Sequence, residues 1–104
     1  MIAAIKKMLG IGPQVDLGTL IANGGIIVDV RTPGEYASGH VKGSVNIPLD
    51  SLRSQIAKLK KDKPVITCCA SGMRSASAKS ILQSNGFADV QNGGSWYNLK
   101  KYEK

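Results

Sequence analysis

The sequence is poor in aromatic residues, contains a single histidine, and has only two cysteines, which are neighbours. With 5% aromatic residues it offers no stacking side chains interleaved with basic ones, so we expect no nucleic-acid partner. His40, Cys68 and Cys69 supply too few ligands for an ordinary zinc site, and no Cys-x-x-Cys spacing occurs. We therefore expect no bound metal.

Long apolar runs are also missing, and no stretch approaches the roughly 20 apolar residues that cross a bilayer. Residues 1–9 carry lysines in the middle of a short apolar segment, which matches a signal peptide poorly. In a helix, Ile2, Ile5, Met8 and Leu9 would share one face that packs on the domain, with a membrane-surface anchor as the alternative. Adjacent cysteines cannot form a secreted disulfide scaffold. We expect a cytoplasmic protein with no membrane partner.

Positive charge is what the chain has in excess. Fourteen basic and seven acidic residues give a net charge of +7, a sign that favours encounters with anions. Many of the lysines fall in residues 58–63 and 100–104, which look like a helix end and a tail, so solvated surface explains them. A chain of 104 residues with 42% apolar content suits one domain over residues 1–104. We expect a monomer or a weak dimer.

Short apolar runs alternate with helix-like segments along the chain. The predicted strands are residues 26–30, 45–47, 65–68 and 88–91. Helices are predicted after a cap at Asp16, near 35–38, from a cap at residue 50 or 51 to an end at residues 61–64, and over 75–84. Asn92-Gly93-Gly94 is predicted to be a turn. This alternation predicts an α/β fold with three layers, in which a central parallel sheet is flanked by helices on both faces. Such sheets bind ligands at the carboxyl ends of their strands.

The most informative segment, residues 69–75, reads Cys-Ala-Ser-Gly-Met-Arg-Ser and lies between a predicted strand and a predicted helix. If this cysteine loop curls around the sulfur while Arg74 and Ser75 open the helix, backbone N–H groups and the positive helix end converge on Cys69. Such surroundings lower the pKa of a thiol below its ordinary value of about 8.5. Cys69 would then be a nucleophile at neutral pH without a general base.

Two further residues of the cysteine loop have specific predicted roles. Gly72 can adopt the positive φ that a tight loop needs, and it leaves room for a ligand. The planar fork of Arg74 suits an anionic oxygen substrate. The alternative is that Cys69 is a small core residue followed by an ordinary Ser-Gly turn. The complete motif between strand and helix favours the functional interpretation.

Four separated segments, in order, resemble the single-domain rhodaneses, which have the thiosulfate sulfurtransferase fold. They are residues 29–36, 39–48, 69–75 and 86–94, with Trp96 after the last. The resemblance implies that Cys69 attacks the outer sulfur of a donor such as thiosulfate and becomes a persulfide, from which a thiol or cyanide takes the sulfur. The implied partners are a small anionic sulfur donor and a thiol or protein acceptor. No metal or organic cofactor is implied.

The resemblance also implies roles for individual residues. Substrate binding falls to Ala70, Ser71, Gly72, Met73, Arg74 and Ser75, with the loop amides holding the terminal sulfur and the arginine binding the anionic donor or releasing sulfite. Asp29 and Arg31 are candidate supporting residues, which with Glu35 and His40 mainly brace the turn after the first strand. Of these four, Asp29 is expected to lie nearest the site. Strand alternation should turn Cys68 away from Cys69, so we interpret it as a core residue rather than a resolving thiol.

Two other functions remain open at this stage. A binding or regulatory module would keep the fold and recruit a partner through its surface, although the presence of both Cys69 and Arg74 argues against an inactive domain. Phosphatases and arsenate reductases of the same fold carry five residues between the cysteine and the arginine, whereas four residues lie between Cys69 and Arg74 here. The smaller ring should suit a single sulfur atom better than a phosphate, so sulfur transfer is favoured over phosphate ester hydrolysis. The family often has a basic residue at the position of Ala70, and its absence leaves room for a persulfide or protein donor.

Overall fold

A four-stranded parallel sheet forms the centre of the fold in the computed structural model, which describes residues 16–103. The strands are β1 (Ile26–Asp29), β2 (Val45–Asn46), β3 (Val65–Cys69) and β4 (Val90–Ser95), and their order across the sheet is β2-β1-β3-β4. All neighbouring pairs run parallel, so the carboxyl ends of the strands meet at one edge. The predicted parallel sheet is confirmed. The proposed helix face of residues 1–9 lies outside the described residues.

Helices connect the strands as the alternating pattern predicts. Within the described part of the chain they are α1 (Leu17–Ala22), α2 (Pro33–Ser38), α3 (Leu52–Gln55) and α4 (Met73–Ser84). The side chain of Asp16 accepts the Thr19 N–H at the start of α1, which confirms the predicted cap. The helix predicted from residue 50 or 51 to residues 61–64 is wrong in its extent, because 3-10 turns flank α3 on both sides. None of these helices has the length and apolar character needed to cross a membrane.

The last strand differs from its prediction. It runs over Val90–Ser95, so the glycine pair predicted to form a turn continues the sheet instead. A Cβ at Gly93 would lie 2.8 Å from side-chain atoms of both Ile66 and Leu99, so only glycine lets the strand pass this close. The pairing with β3 shifts register after Thr67, and Gly94 has a φ of +78°. Two glycines thus allow an irregular strand where a turn was expected.

Apolar side chains pack on both faces of the sheet and form two clusters in the described structure. One cluster contains Val28, Val30, Leu52, Val65, Cys69, Ala78, Leu82 and other buried residues. The second contains Ile21, Ile27, Val41, Ile66, Cys68 and Leu99. Successive side chains of a strand point to opposite faces, and the two cysteines accordingly fall in different clusters. The predicted orientation of Cys68, away from Cys69, is confirmed.

Candidate active site

Cys69 is the last residue of β3, and its sulfur faces the start of α4. The N–H of Gly72 donates to Cys69 Sγ at 3.0 Å, and the N–H of Ser75 donates at 3.4 Å. Gly72 precedes the first residue of α4, so the positive end of this helix lies beside the sulfur. The convergence of main-chain donors predicted for the cysteine loop is therefore present, and the helix begins two residues earlier than predicted.

The surroundings of the two cysteines change their pKa values in opposite directions. Burial raises the pKa of Cys69, but the hydrogen bonds that its thiolate can accept from the Ser75 hydroxyl, the Ser75 N–H and the amides of Gly72 and Ser71 outweigh burial and lower the pKa below its ordinary value. Burial, together with the nearby Asp29 carboxylate, raises the pKa of Cys68 to about 12. Of the two thiols, only Cys69 thus ionises more readily than an ordinary cysteine.

We expect the alkylation of Cys69 by iodoacetamide to retain its rate well below the pKa of about 8.5 of a free cysteine. Cys68 should remain unmodified in the folded protein, because its pKa is raised to about 12 and its side chain lies in the apolar cluster on the other face of the sheet, away from the exposed cysteine loop. The measurement is the alkylation rate of each cysteine against pH, followed by peptide mapping. A midpoint for Cys69 equal to that of free cysteine would contradict the activated-thiolate interpretation.

Gly72 has the left-handed backbone conformation that the cysteine loop needs. Its φ is +104°, a value that residues with a Cβ rarely adopt. A Cβ at this position would also lie 3.4 Å from the Cα of Gly94 in β4. The loop therefore rests against the irregular end of β4, and the two glycines make this close contact possible.

Asn92 of β4 contacts the cysteine loop, and the sequence analysis did not identify it. Asn92 Oδ1 lies 2.6 Å from the hydroxyl of Ser75 and accepts the Gly94 N–H at 2.9 Å. Asn92 Nδ2 donates to the carbonyl of Gly72 at 3.1 Å. The sequence feature that could have indicated Asn92 is a polar amide directly before the glycine pair, near the carboxyl end of β4, which pairs with β3. Asn92 thus holds the middle and the last residue of the loop.

Arg74 forms a bidentate ion pair with Glu35 of α2, at 2.8 Å and 3.0 Å. The arginine predicted to bind an anionic donor therefore faces a carboxylate in this structure. Glu35 also completes a capping box with Thr32. The hydrogen bond from Arg74, with help from Thr32, lowers the pKa of Glu35 from 4.5 to about 2. The stabilisation from this pair is present above about pH 4.5 and is lost as the pH falls towards 2.

Asp29 and Arg31 form a buried ion pair beneath the turn that follows β1. Asp29 is 0% exposed and Arg31 is 4% exposed, and Arg31 Nη2 lies 2.7 Å from Asp29 Oδ2. The Arg31 guanidinium also donates to the carbonyls of Glu35 and Gly39, and its Cζ lies 4.5 Å from the centre of the Trp96 ring. These contacts join α2 to the chain that follows β4. They agree with the bracing role suggested by the sequence.

His40, another predicted member of this brace, packs on Tyr36 of α2. His40 stacks on Tyr36 with ring centroids 3.8 Å apart, and its Nδ1 lies 2.8 Å from the Tyr36 carbonyl oxygen. Every hydrogen bond to the Asp29 carboxylate among the described residues comes from Arg31. Of the four residues considered, Glu35 rather than Asp29 is the one whose side chain contacts the cysteine loop.

The outer surface of the cysteine loop is open to solvent, whereas the sulfur is not. Ala70 and Ser71 are exposed and Met73 is 78% exposed, but Cys69 is 0% exposed. The arrangement can stabilise negative charge on a sulfur with main-chain donors. Among residues 16–103, no group of three or more His, Cys, Asp or Glu side chains is placed to hold a metal ion.

Comparison with known proteins identifies relatives of this chain. A family model described as "Rhodanese-like domain" matches residues 14–100. The chain is 38% identical over 74 residues to the uncharacterized protein YqhL of Bacillus subtilis, covering 71% of this chain and 54% of YqhL. It is 41% identical over 69 residues to the thiosulfate sulfurtransferase PspE of Escherichia coli, covering 64% of this chain and 66% of PspE. The chain thus spans about half to two thirds of these relatives.

A solved structure shares the fold. The structure described as a rhodanese with anions from E. coli superposes with a TM-score of 0.67 at 36% sequence identity. The superposition covers 71% of this chain and 89% of that one. The match therefore includes nearly all of a small protein and the greater part of the residues described above.

Proposed function

Because the chain belongs to the family of rhodanese-like domains, we propose that it is a sulfurtransferase that carries a sulfane sulfur as a persulfide on Cys69. The observation that carries this proposal is the pair of main-chain N–H groups, from Gly72 and Ser75, directed at Cys69 Sγ. Such donors stabilise an anion at the start of a helix. Both the attacking thiolate and the terminal sulfur of a persulfide are anions. A relative named thiosulfate sulfurtransferase supports the reaction class.

The proposed reaction has two displacements at sulfur. The Cys69 thiolate attacks the outer sulfur of thiosulfate, a new S–S bond forms, and the original S–S bond breaks as sulfite leaves with its electron pair. The product is a Cys69 persulfide whose terminal sulfur carries the negative charge. An acceptor thiolate or cyanide then attacks that terminal sulfur, and the Cys69 thiolate leaves. Charge balances in each step, so neither an oxidant nor a cofactor is required.

The exposed side of the cysteine loop is the proposed entry for the donor. Cys69 has no exposed surface in the resting structure, whereas Ala70, Ser71 and Met73 face solvent. The outer sulfur of the donor would displace part of this loop and then accept hydrogen bonds from the N–H groups that now point at Cys69. Those amides would afterwards hold the terminal sulfur of the persulfide.

The charges around the site favour donors other than small dianions. Ala70 supplies no positive charge, and the guanidinium of Arg74 is occupied by Glu35. A thiosulfate dianion would have to compete with the Glu35 carboxylate for Arg74. We therefore propose that a persulfide or a protein donor loads Cys69 more effectively than thiosulfate does.

We expect Glu35→Gln to lower the KM for thiosulfate by about two- to fivefold, the range for loss of an exposed competing ion pair. Glutamine keeps the capping interaction with Thr32 and removes the charge opposite Arg74. The measurement is the thiosulfate dependence of thiocyanate formation with cyanide as the acceptor. Glu103→Gln is the matched control, because Glu103 contacts Lys42 and Lys100 instead of the loop. An unchanged or higher KM in Glu35→Gln would contradict the competition.

The direct test of the proposed function is the mass of the intact protein after incubation with thiosulfate or an organic persulfide. The proposal predicts a gain of one sulfur atom that cyanide removes. No adduct with any of these donors would favour the binding or regulatory module. Turnover of an aryl phosphate without an adduct would favour the phosphatase.

A further inference from the structure

The hydroxyl of Ser75 has two neighbours that compete for its single proton. Ser75 Oγ lies 2.6 Å from Asn92 Oδ1 and 3.5 Å from Cys69 Sγ. Ser75 is 0% exposed, so water does not reach the hydroxyl. A hydroxyl can donate one hydrogen bond at a time. The proton of Ser75 therefore points either to Asn92 or to Cys69.

The amide of Asn92 determines which direction the proton takes in the resting structure. Asn92 Oδ1 accepts the N–H of Gly94 at 2.9 Å, and Asn92 Nδ2 donates to the carbonyl of Gly72 at 3.1 Å. Rotating the amide by half a turn would place donor against donor and acceptor against acceptor. The oxygen of Asn92 thus faces Ser75 and receives its proton. Ser75 can then only accept a hydrogen bond from the Cys69 thiol.

Ionisation of Cys69 reverses this arrangement. A thiolate has no proton to give, so Ser75 must turn its own proton to the sulfur to keep a hydrogen bond. Ser75 Oγ and Asn92 Oδ1 would then face each other as two acceptors 2.6 Å apart. Asn92 is exposed, so water can satisfy its oxygen after the proton has turned. The cost is therefore limited, but it opposes the thiolate.

We propose that Asn92 is a positioning residue that acts through Ser75 and favours the neutral states of the Cys69 sulfur over the thiolate. The neutral states are the resting thiol and the inner sulfur of the persulfide, so this inference deepens the proposed function and rests on it for its catalytic meaning. Through the same contact, Asn92 opposes discharge of the persulfide back to the thiolate. The residue would set the balance between the loaded and the free protein.

Other charged side chains near Cys69 are not connected to it through the Ser75–Asn92 hydrogen bond. From α4, the guanidinium of Arg74 is paired with Glu35 of α2. From β1, Asp29 is paired with Arg31, and the adjacent Cys68 thiol is on the other face. Among the described residues, none of these side chains bonds to Ser75 or Asn92. A change at Asn92 that depends on Ser75 therefore isolates the proposed contact.

The test is the titration of Cys69 without any sulfur donor, in a Cys68→Ala background, by thiolate absorbance and by the pH dependence of alkylation. Asn92→Leu should lower the pKa of Cys69 by about 0.5 to 1, as expected for one hydrogen bond. In a Ser75→Ala background, Asn92→Leu should leave the pKa unchanged. An unchanged or higher pKa with Ser75 present, or an equal fall in both backgrounds, would overturn the proposal.

A second variant keeps the test decisive if Asn92→Leu does not fold. Asn92→Asp retains the acceptor for Ser75 and strengthens it with charge, so the pKa of Cys69 should rise more with Ser75 present than in the Ser75→Ala background. Equal rises would show a simple charge effect and overturn the role of Ser75. Because no donor is present, this result is independent of whether the protein transfers sulfur.

Discussion

Cys69→Ser will abolish both the sulfur adduct and sulfur transfer, reducing turnover to the background of the uncatalysed reaction. The proposed persulfide needs a nucleophilic sulfur that ionises near neutral pH, and a serine hydroxyl does not supply one. The rest of the loop should remain, since serine is close in size to cysteine. The measurements are intact mass after incubation with thiosulfate and the rate of thiocyanate formation with cyanide.

Cys68→Ala is the matched control for this variant. Its side chain lies in the other apolar cluster and makes no hydrogen bond to the cysteine loop among the described contacts. The variant should still gain one sulfur atom and retain its turnover. An adduct that persists in Cys69→Ser, or that disappears in Cys68→Ala when the protein remains folded, would contradict the assignment of Cys69 as the acceptor of the donor's sulfur.

Asp29→Ala will cause the largest loss of stability of the variants considered. It would leave the guanidinium of Arg31, which is 4% exposed, without its counter-charge inside the fold. Removing one partner of a buried pair reduces the free energy of unfolding by about 3 to 5 kcal/mol. For a domain of this size, that corresponds to a melting temperature lower by more than about 12 °C. Thermal unfolding followed by circular dichroism measures the change.

Asp89→Ala is the matched control for the buried pair. Asp89 is partly exposed, and its carboxylate accepts from Gln91 at 3.2 Å, so its loss should change the free energy of unfolding by about 0.5 kcal/mol. Replacing both Asp29 and Arg31 with apolar residues should recover part of the stability lost in Asp29→Ala. An Asp29→Ala variant that is as stable as Asp89→Ala would contradict the importance of the pair.

The features that could be predicted from the sequence are those determined by residues close together in the chain. The buried strands are short apolar runs, so β1 and β3 are visible from composition alone. The cysteine loop could be predicted because a strand, a glycine and the start of a helix lie within a few neighbouring residues. Alternation along β3 separates Cys68 from Cys69 without knowledge of the rest of the chain.

The features that the sequence did not predict depend on how distant segments meet. The contact between Arg74 and Glu35 joins residues 39 positions apart, and its existence depends on where α2 lies relative to α4. The role of Asn92 depends on the register of β4, which shifts near Cys69 where Gly94 has a positive φ. A glycine pair normally indicates a turn, so the local signal at this point favoured the wrong structure.

The separation of the two cysteines onto opposite faces of the sheet has a consequence for the fate of bound sulfur. The chain contains no third cysteine, and the sheet itself stands between the only two. A loaded protein therefore cannot unload itself by closing an internal disulfide and expelling hydrosulfide. Under the proposed function, the persulfide sulfur leaves only when a separate acceptor molecule attacks it, so the identity of that acceptor decides where the sulfur goes.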